Sequence, residues 1–355
     1  MELKKEIVLP LLEWYDANQR ILPWRGSKDP YHIWVSEIML QQTRVEAVRP
    51  YFGRFLDACP DIKTLAGMDE ERLLKLWEGL GYYNRVRNLQ KAARQIMEEY
   101  NGRMPASYEL LIKLPGIGEY TAGAVASIAF NEPRPAVDGN VLRIIARLTG
   151  DTGNILEAGT RKNYRESLER IFPADRPGDF NQAMMELGAT LCQPAGKPKC
   201  EGCPWNRECV ALREHLTDIL PVRKKKDARR IDRKTVLVIR DDRYTLIRKR
   251  SEKGLLAGMY EFPMLDGRIS RKAALDFVET LGLQPIRIES LGEAVHIFTH
   301  REWHMQGFLI RIADTDKEKT GSLKLPEHYR LILPEEIDET YPIPSAYKAF
   351  RSHLF

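Results

Sequence analysis

Between Pro23 and about Leu216 apolar residues recur three and four positions apart, with Pro or Gly in the gaps, so this stretch reads as helix after helix. The pattern predicts helices over 34–44, 73–80, 86–100, 120–130, 141–148, 161–171 and 181–191. Ahead of them Leu3, Ile7, Leu11 and Tyr15 fall at helical spacing among acids and lysines, as in an amphipathic helix. From Thr235 the period changes. Short β-rich runs at 235–240 and 244–248 are joined hairpin-fashion by Asp241-Asp242-Arg243; a helix-like piece follows at 271–281, with further strand-like runs at 286–288 and 308–312. The expected architecture is an all-α domain over 1–216, a linker over 217–234 and an α+β domain over 235–355.

Composition fits such a chain: 355 residues leave room for two or three domains, and 43% hydrophobic content is ordinary for a globular protein. No apolar run is long enough to span a bilayer and the N-terminus lacks a signal-peptide core, which reads as a cytoplasmic protein. The net charge of +5 is concentrated. Residues 223–234 carry eight Lys/Arg against Asp227 and Asp232, as a solvated linker or a tether for a polyanion such as DNA would.

Five cysteines are present, and Cys192, Cys200, Cys203 and Cys209 leave seven, two and five residues between successive thiols. In a chain without export signals this crowding favours a metal site over disulfides, with Cys59 a buried thiol. Four thiolates can hold a [4Fe–4S] cluster or a tetrahedral zinc, and spacing leaves both open.

The densest chemistry lies between Leu114 and Asn140. Leu114-Pro115-Gly116-Ile117-Gly118 is a Gly-rich turn able to offer bare backbone N–H groups to an anion, and it opens a small, apolar helix. Asp138 follows eight residues beyond Phe130, ahead of a helix from Val141, where an N-cap role would account for it by itself. Upstream, Glu37 sits in the largely apolar Trp34-Val35-Ser36-Glu37-Ile38-Met39-Leu40-Gln41-Gln42-Thr43. Burial there would raise its carboxyl above the reference of about 4.3, toward general-acid use.

Together, LPGIGEYTAGAVASIAF, Asp138 and SEIMLQQT resemble the helix-hairpin-helix, iron–sulfur base-excision glycosylases, and within them the adenine DNA glycosylase (MutY) family. The resemblance spans nearly the whole chain and is tightest from Leu22 to Cys209. It implies a [4Fe–4S] cluster on the four cysteines, although the loop from Gln193 to Lys199 is one residue longer than the family's usual six. It implies catalysis by Glu37, which protonates the leaving adenine, and by Asp138, which stabilises an oxocarbenium-like transition state, with Tyr120 and Asn140 beside them. Superfamily members that also cut the strand carry a lysine where this chain has Tyr120, so a monofunctional enzyme is expected. DNA contacts fall to Gly116, Gly118, Arg25 near the base pocket, and Gln42 and Tyr82 as wedge and intercalator.

In the C-terminal part His296-Ile297-Phe298-Thr299-His300 resembles the loop with which the family reads 8-oxoguanine. Phe298, Thr299 and His300 are the expected readers, with Thr299 where the family has serine. The domain looks Nudix-like, yet no glutamate cluster follows Gly258, so it is expected to read rather than hydrolyse. His296, His300 and His304 are spaced by four, and a zinc site there is a competing idea. The implied partner is double-stranded DNA with A:8-oxoguanine or A:G mispairs, bound by a monomer. A mismatch thymine glycosylase and a DNA-binding lesion sensor without turnover are the alternatives.

Overall fold

In a computed structural model, which describes residues 3–223, 228–315 and 324–354, the N-terminal part is helical as expected. Its helices are α1 (Val8–Asn18), α2 (Pro30–Leu40), α3 (Val45–Ala58), α4 (Ile62–Gly67), α5 (Glu70–Leu76), α6 (Asn84–Glu99), α7 (Tyr108–Leu111), α8 (Glu119–Phe130), α9 (Gly139–Thr149), α10 (Ala158–Glu169), α11 (Pro177–Thr190) and α12 (Val210–Arg213). The periodicity at 34–44 runs past the real end of α2, because Gln42 turns into the left-handed region at φ 58°. Helix α3 is absent from the sequence reading, since Pro50 lies inside it. The lost hydrogen bond is offset by burying Val48, Phe52 and Phe55 on one face. One core joins α1, α9, α10 and α11 through Leu11, Tyr15, Ile145, Tyr164, Phe180 and Leu187.

The C-terminal part is a mixed sheet with one helix packed on one face and the short helical segments between Ile337 and Leu354 on the other. Strands β1 (Arg230–Arg240), β2 (Thr245–Lys249), β3 (Tyr260–Glu261), β4 (Met264–Asp266), β5 (Pro285–Ile297), β6 (Arg301–Ile312) and β7 (Tyr329–Ile332) form it, with α13 (Arg271–Thr280). The order is β3-β2-β1-β6-β5, with β4 on β1 and β7 on β2; β1 and β6 run parallel and the other pairs antiparallel. Period-two alternation sends Val236 and Val238 into a core with Tyr260, Phe262 and Tyr347, and Leu237 and Ile239 into another beneath α13.

Two boundaries differ from the sequence reading. Strand β1 starts at Arg230, inside the expected linker of 217–234: its backbone pairs with β6 from Arg230 opposite Arg301, while Asp232 takes ion pairs from Arg230 and Arg301. Three of the eight basic residues that suggested a tether, Arg230, Arg233 and Lys234, are side chains on a paired strand. The part of that basic call from Lys224 to Asp227 lies outside the described residues. The second difference concerns 68–83, expected in the helical domain. By packing the chain divides into Met1–Gly67 with Asn84–Lys225, and Met68–Tyr83 with Lys226–Phe355. Polar contacts explain that membership. Glu71 accepts from Lys249 Nζ (2.8 Å) and the Tyr260 hydroxyl (3.1 Å), and Lys75 Nζ donates to the Ile337 carbonyl (2.7 Å). Strands β5 and β6 are longer than the runs at 286–288 and 308–312, because β5 is an edge strand with few apolar positions to mark it.

Candidate active site

Helix α2 begins at the Asp29 cap and Pro30 and is buried along most of its length from Tyr31 to Met39, which carries Glu37 inward with only 6% of its surface exposed. From α8 the Tyr120 hydroxyl donates to Glu37 Oε2 at 2.6 Å, with Met185 Sδ 3.5 Å from the same hydroxyl. Burial pushes the Glu37 carboxyl up to about 7; the Tyr120 hydrogen bond opposes the rise, the Asp138 charge adds to it and Arg25 counters it. Tyr120 itself is held well above the ordinary phenol range by burial and by Glu37 and Asp138, so it remains a donor.

Asp138 caps α9, and both of its oxygens are engaged. Oδ1 accepts the Asn140 and Val141 N–H groups at 2.8 Å each, and Oδ2 accepts Asn140 Nδ2 at 2.7 Å. Burial raises its carboxyl above the usual aspartate range against the pull of those donors. The cap reading and a chemical reading are thus compatible, because the hydrogen bonds that start α9 also fix the carboxylate. A network continues behind it: an Arg143 guanidinium nitrogen donates to Asn140 Oδ1 (2.9 Å) and the Gly188 carbonyl (2.9 Å), and Nε to the Cys192 carbonyl (2.8 Å). Only glycine fits at 188, since a Cβ there would lie 2.6 Å from Asn140 Cβ.

Arg25 reaches the same region from the loop before α2. It donates to Glu186 Oε2 (2.5 Å) and the Arg20 carbonyl (3.0 Å), while Arg20 Nε meets Glu186 Oε1 at 2.6 Å. Burial would raise the fully buried Glu186, but Arg20 and Arg25 hold it below the usual carboxylate range.

The four cysteines line one small cavity of about 30 Å³ beside Arg147, whose guanidinium lies 3.4 Å from Cys192 Sγ. None forms a disulfide, and the loop is pinned where Trp205 Nε1 donates to the Ile7 carbonyl at 2.8 Å. Among the described residues no group of three or more His, Cys, Asp or Glu closes on a single metal ion. The longer loop turns at Gly196, at φ 73°.

On the expected DNA-facing turns, Gly116 sits at φ 76° where a Cβ would strike Asn88 Cβ at 2.6 Å, so glycine is required twice over. Gly118 needs neither property: it is the extended N-cap of α8 and faces open space. Gln42 is exposed, and its turn is shaped by Arg85, which donates to the carbonyls of Ile38 (2.9 Å), Met39 (2.9 Å) and Gln41 (2.5 Å). In the C-terminal unit Phe298 starts the β5–β6 turn and packs on Trp303 (ring centroids 4.9 Å apart) and His296 (4.6 Å), leaving Thr299 and His300 exposed at its tip. The Tyr82 hydroxyl, from its own turn at φ 50°, lies 3.0 Å from Thr299 Oγ1. The zinc idea fails. Val295 pairs with His304 and His296 with Trp303, so His296 and His304 point to opposite faces of the sheet.

Residues 35–173 match the HhH-GPD superfamily of base excision DNA repair proteins and residues 235–353 match the NUDIX domain. The chain is 34% identical to the adenine DNA glycosylase of Buchnera aphidicola (strain APS) over 97% of both chains. The chain belongs to the adenine DNA glycosylase family. It is also 36% identical to the mouse member over 82% of this chain and 67% of the mouse protein, and 35% identical to the Arabidopsis thaliana member, of which it spans 55%. Among solved structures, a thermostable thymine-DNA glycosylase superposes at TM-score 0.55 with 30% identity, covering 59% of this chain and 96% of that one. Endonuclease III trapped covalently on DNA follows at 0.51 and 26%, covering 60% and 99%.

Within this family member, the structure joins Glu37 with Tyr120, and Asp138 with Asn140; Arg25 attaches to the pocket through Glu186. Arg20, Arg85, Arg143, Arg147 and Glu186 were missed by the sequence reading. A signal existed: Glu186 falls on the apolar stripe of α11 with Ala183 and Leu187, and Asn140, Arg143 and Arg147 form a polar row on the otherwise buried α9. Among the described residues no helix is long and apolar enough to cross a membrane.

Proposed function

We propose that this chain is a monofunctional glycosylase that hydrolyses the N-glycosidic bond of adenine opposite 8-oxoguanine, or G, in double-stranded DNA. The observation that carries the reading is Glu37, desolvated to about 7 and held by Tyr120 beside Asp138. A carboxylic acid poised near neutrality can protonate adenine N7 and turn a poor leaving group into a good one. Asp138, fixed by three donated hydrogen bonds, supplies negative charge to the oxocarbenium-like transition state that forms as the bond breaks. Water then completes the hydrolysis and an abasic site remains. Tyr120 stands where strand-cutting relatives place an amine nucleophile, and a phenol cannot form a Schiff base.

Cys192, Cys200, Cys203 and Cys209 would hold a [4Fe–4S] cluster, to which four thiolates around one cavity are suited. Such a cluster, when bound, supplies a rigid cross-link of the loop; the chemistry at the sugar belongs to the residues above. The bare N-terminus of α8 at Gly118 and the turn at Gly116 suit a DNA phosphate, Gln42 and Tyr82 suit wedging into the helix, and Phe298, Thr299 and His300 suit reading of the opposite base. We assign the protein to the cytoplasm, acting on the nucleoid as a monomer.

Single-turnover incubation with an A:8-oxoguanine duplex followed by alkali tests this. Strand breakage is expected only after alkali. Binding without any alkali-labile site would favour a lesion sensor, and release of thymine from a T:G duplex instead of adenine would favour the mismatch thymine enzyme.

A further inference from the structure

The approach to Asp138 is held by a side chain that takes no part in the chemistry described above. Residues 131–137 leave α8 at Asn131, in the left-handed region at φ 56°, and pass through Pro133 and Pro135, which carry no N–H to anchor a turn. Asn181 on α11, only 3% exposed, supplies what they lack. Its Oδ1 accepts the Ala136 N–H (2.9 Å), and its Nδ2 donates to the Arg134 carbonyl (2.8 Å) and to Ser127 Oγ on α8 (2.7 Å). Ser127 gives its own proton to the Ala124 carbonyl (3.2 Å), so it accepts from Asn181, and the amide has its oxygen and both of its protons engaged.

Two glycines bring the same three elements together. A Cβ at Gly123 of α8 would lie 2.5 Å from the Pro135 carbonyl oxygen, and one at Gly178 of α11 would lie 2.8 Å from Ile128 Cα, so loop and α11 both rest directly on the backbone of α8. Gly123 lies one turn from Tyr120, whose hydroxyl holds Glu37. Helix α8 is therefore a common base: Glu37 is registered to it through Tyr120, and Asp138 through the clasped loop. The bonds that Asp138 accepts come from Asn140 and Val141 and orient its carboxylate on the first turn of α9, without relating it to α8.

We propose that Asn181 is a positioning residue for Asp138: by clasping the backbone of Arg134 and Ala136 to α8, it sets where the carboxylate stands relative to Glu37. This rests on the charge-stabilising role proposed above for Asp138. A shift of that carboxylate on the order of 1 Å is enough to cost about 10²-fold in rate.

Single-turnover excision from an A:G duplex at saturating enzyme tests this, because the rate constant there does not depend on what fraction of the protein is folded; gel shifts and melting curves accompany it. Asn181→Ala should lower that constant by roughly ten- to a hundredfold with duplex binding retained. Gly123→Ala, favourable for the helix itself, pushes the loop away from α8 at Pro135 and should lower the constant as well; it decides the matter if Asn181→Ala does not fold. When either change is combined with Asp138→Asn, the constant should fall no further than in Asp138→Asn alone. An unchanged constant in Asn181→Ala, or in Gly123→Ala should the first variant not fold, would overturn the positioning role even if the melting temperature drops, and so would losses that multiply in the double variants. An Asp138→Asn protein that keeps the parent's rate would instead overturn the role of Asp138, so the two failures are told apart.

Discussion

The Glu37–Asp138 pocket and the Thr299 turn are built on opposite principles. Around the carboxylates every polar atom named has a protein partner: Tyr120 on Glu37, three donors on Asp138, and Arg143 and Glu186 behind them. At the turn, Phe298 is packed against Trp303 while Thr299, whose hydroxyl meets that of Tyr82, and His300 stay exposed. The difference fits the two tasks proposed for these regions. Shifting a proton affinity toward neutrality takes desolvation, which only a buried site provides, whereas inspecting a base in a duplex takes a protruding group that makes few contacts until the base arrives. Substitutions in the first region should therefore cost orders of magnitude and those in the second only small factors.

Glu37→Gln and Asp138→Asn set the upper end. Each should lower excision from A:8-oxoguanine and A:G alike by roughly 10²–10⁴-fold, the usual range for a lost general acid, with duplex binding retained in gel-shift assays. A loss confined to one duplex would break the contrast.

Removal of the cysteine site comes next and separates the regions by stability. Protein prepared anaerobically should absorb broadly near 400 nm and carry about four irons per chain. Cys203→Ser should lose that absorbance and lower the melting transition of the helical unit, with the C-terminal unit's transition retained; stoichiometric zinc in the colourless native protein would remove the iron assignment.

Protonation gives a finer measure. In the proposed general-acid role Glu37 must hold a proton to act, so single-turnover rates should fall as pH rises through about 7. Its folded-state value lies above the unfolded one, so the folded protein binds this proton more tightly and loses stability as pH climbs from about 4.5 to about 7, on the order of 3 kcal/mol in all. Glu37→Gln, which carries no such charge, should melt higher than the parent at pH 8 though it is inactive. Equal melting temperatures at pH 8 would show that Glu37 is better solvated than its burial implies.

The smallest effect is expected at the turn. Thr299→Ala should slow action on A:8-oxoguanine several-fold, as for a lost hydrogen bond of about 0.5–1.5 kcal/mol, with a clearly smaller loss on A:G. Equal losses on the two duplexes would assign the turn to folding or general DNA contact.

How far the sequence carried this picture depended on whether the signal was local. The helices around Tyr120 and Asp138 have short periods and Pro or Gly at their ends, and they appeared within a residue or two of their places. Helix α3 escaped because Pro50 is a local breaker overruled by the burial of Phe52 and Phe55. The start of β1 escaped because Arg230 to Lys234 are charged, while strand pairing is a backbone property. In the site, Glu37 and Asp138 were legible as motif residues, but the Glu186–Arg20–Arg25 group was not, since its partners lie 161 and 166 residues apart. Conversely, Gly118 reads as a glycine needed for its backbone freedom, yet the chain requires none of it there.

The membership of Met68–Tyr83 in the C-terminal unit bears on how the protein is made. Synthesis delivers this segment early, but the residues that receive it come late: Lys249 lies 178 positions after Glu71, and Ile337 lies 262 after Lys75. At a translation rate of about 5–20 residues per second, Glu71 and Lys75 wait on the order of ten seconds or more for those partners. Ribosome-bound chains halted near residue 225 should accordingly be cut by added protease within 68–83, and chains released at full length should resist cleavage there.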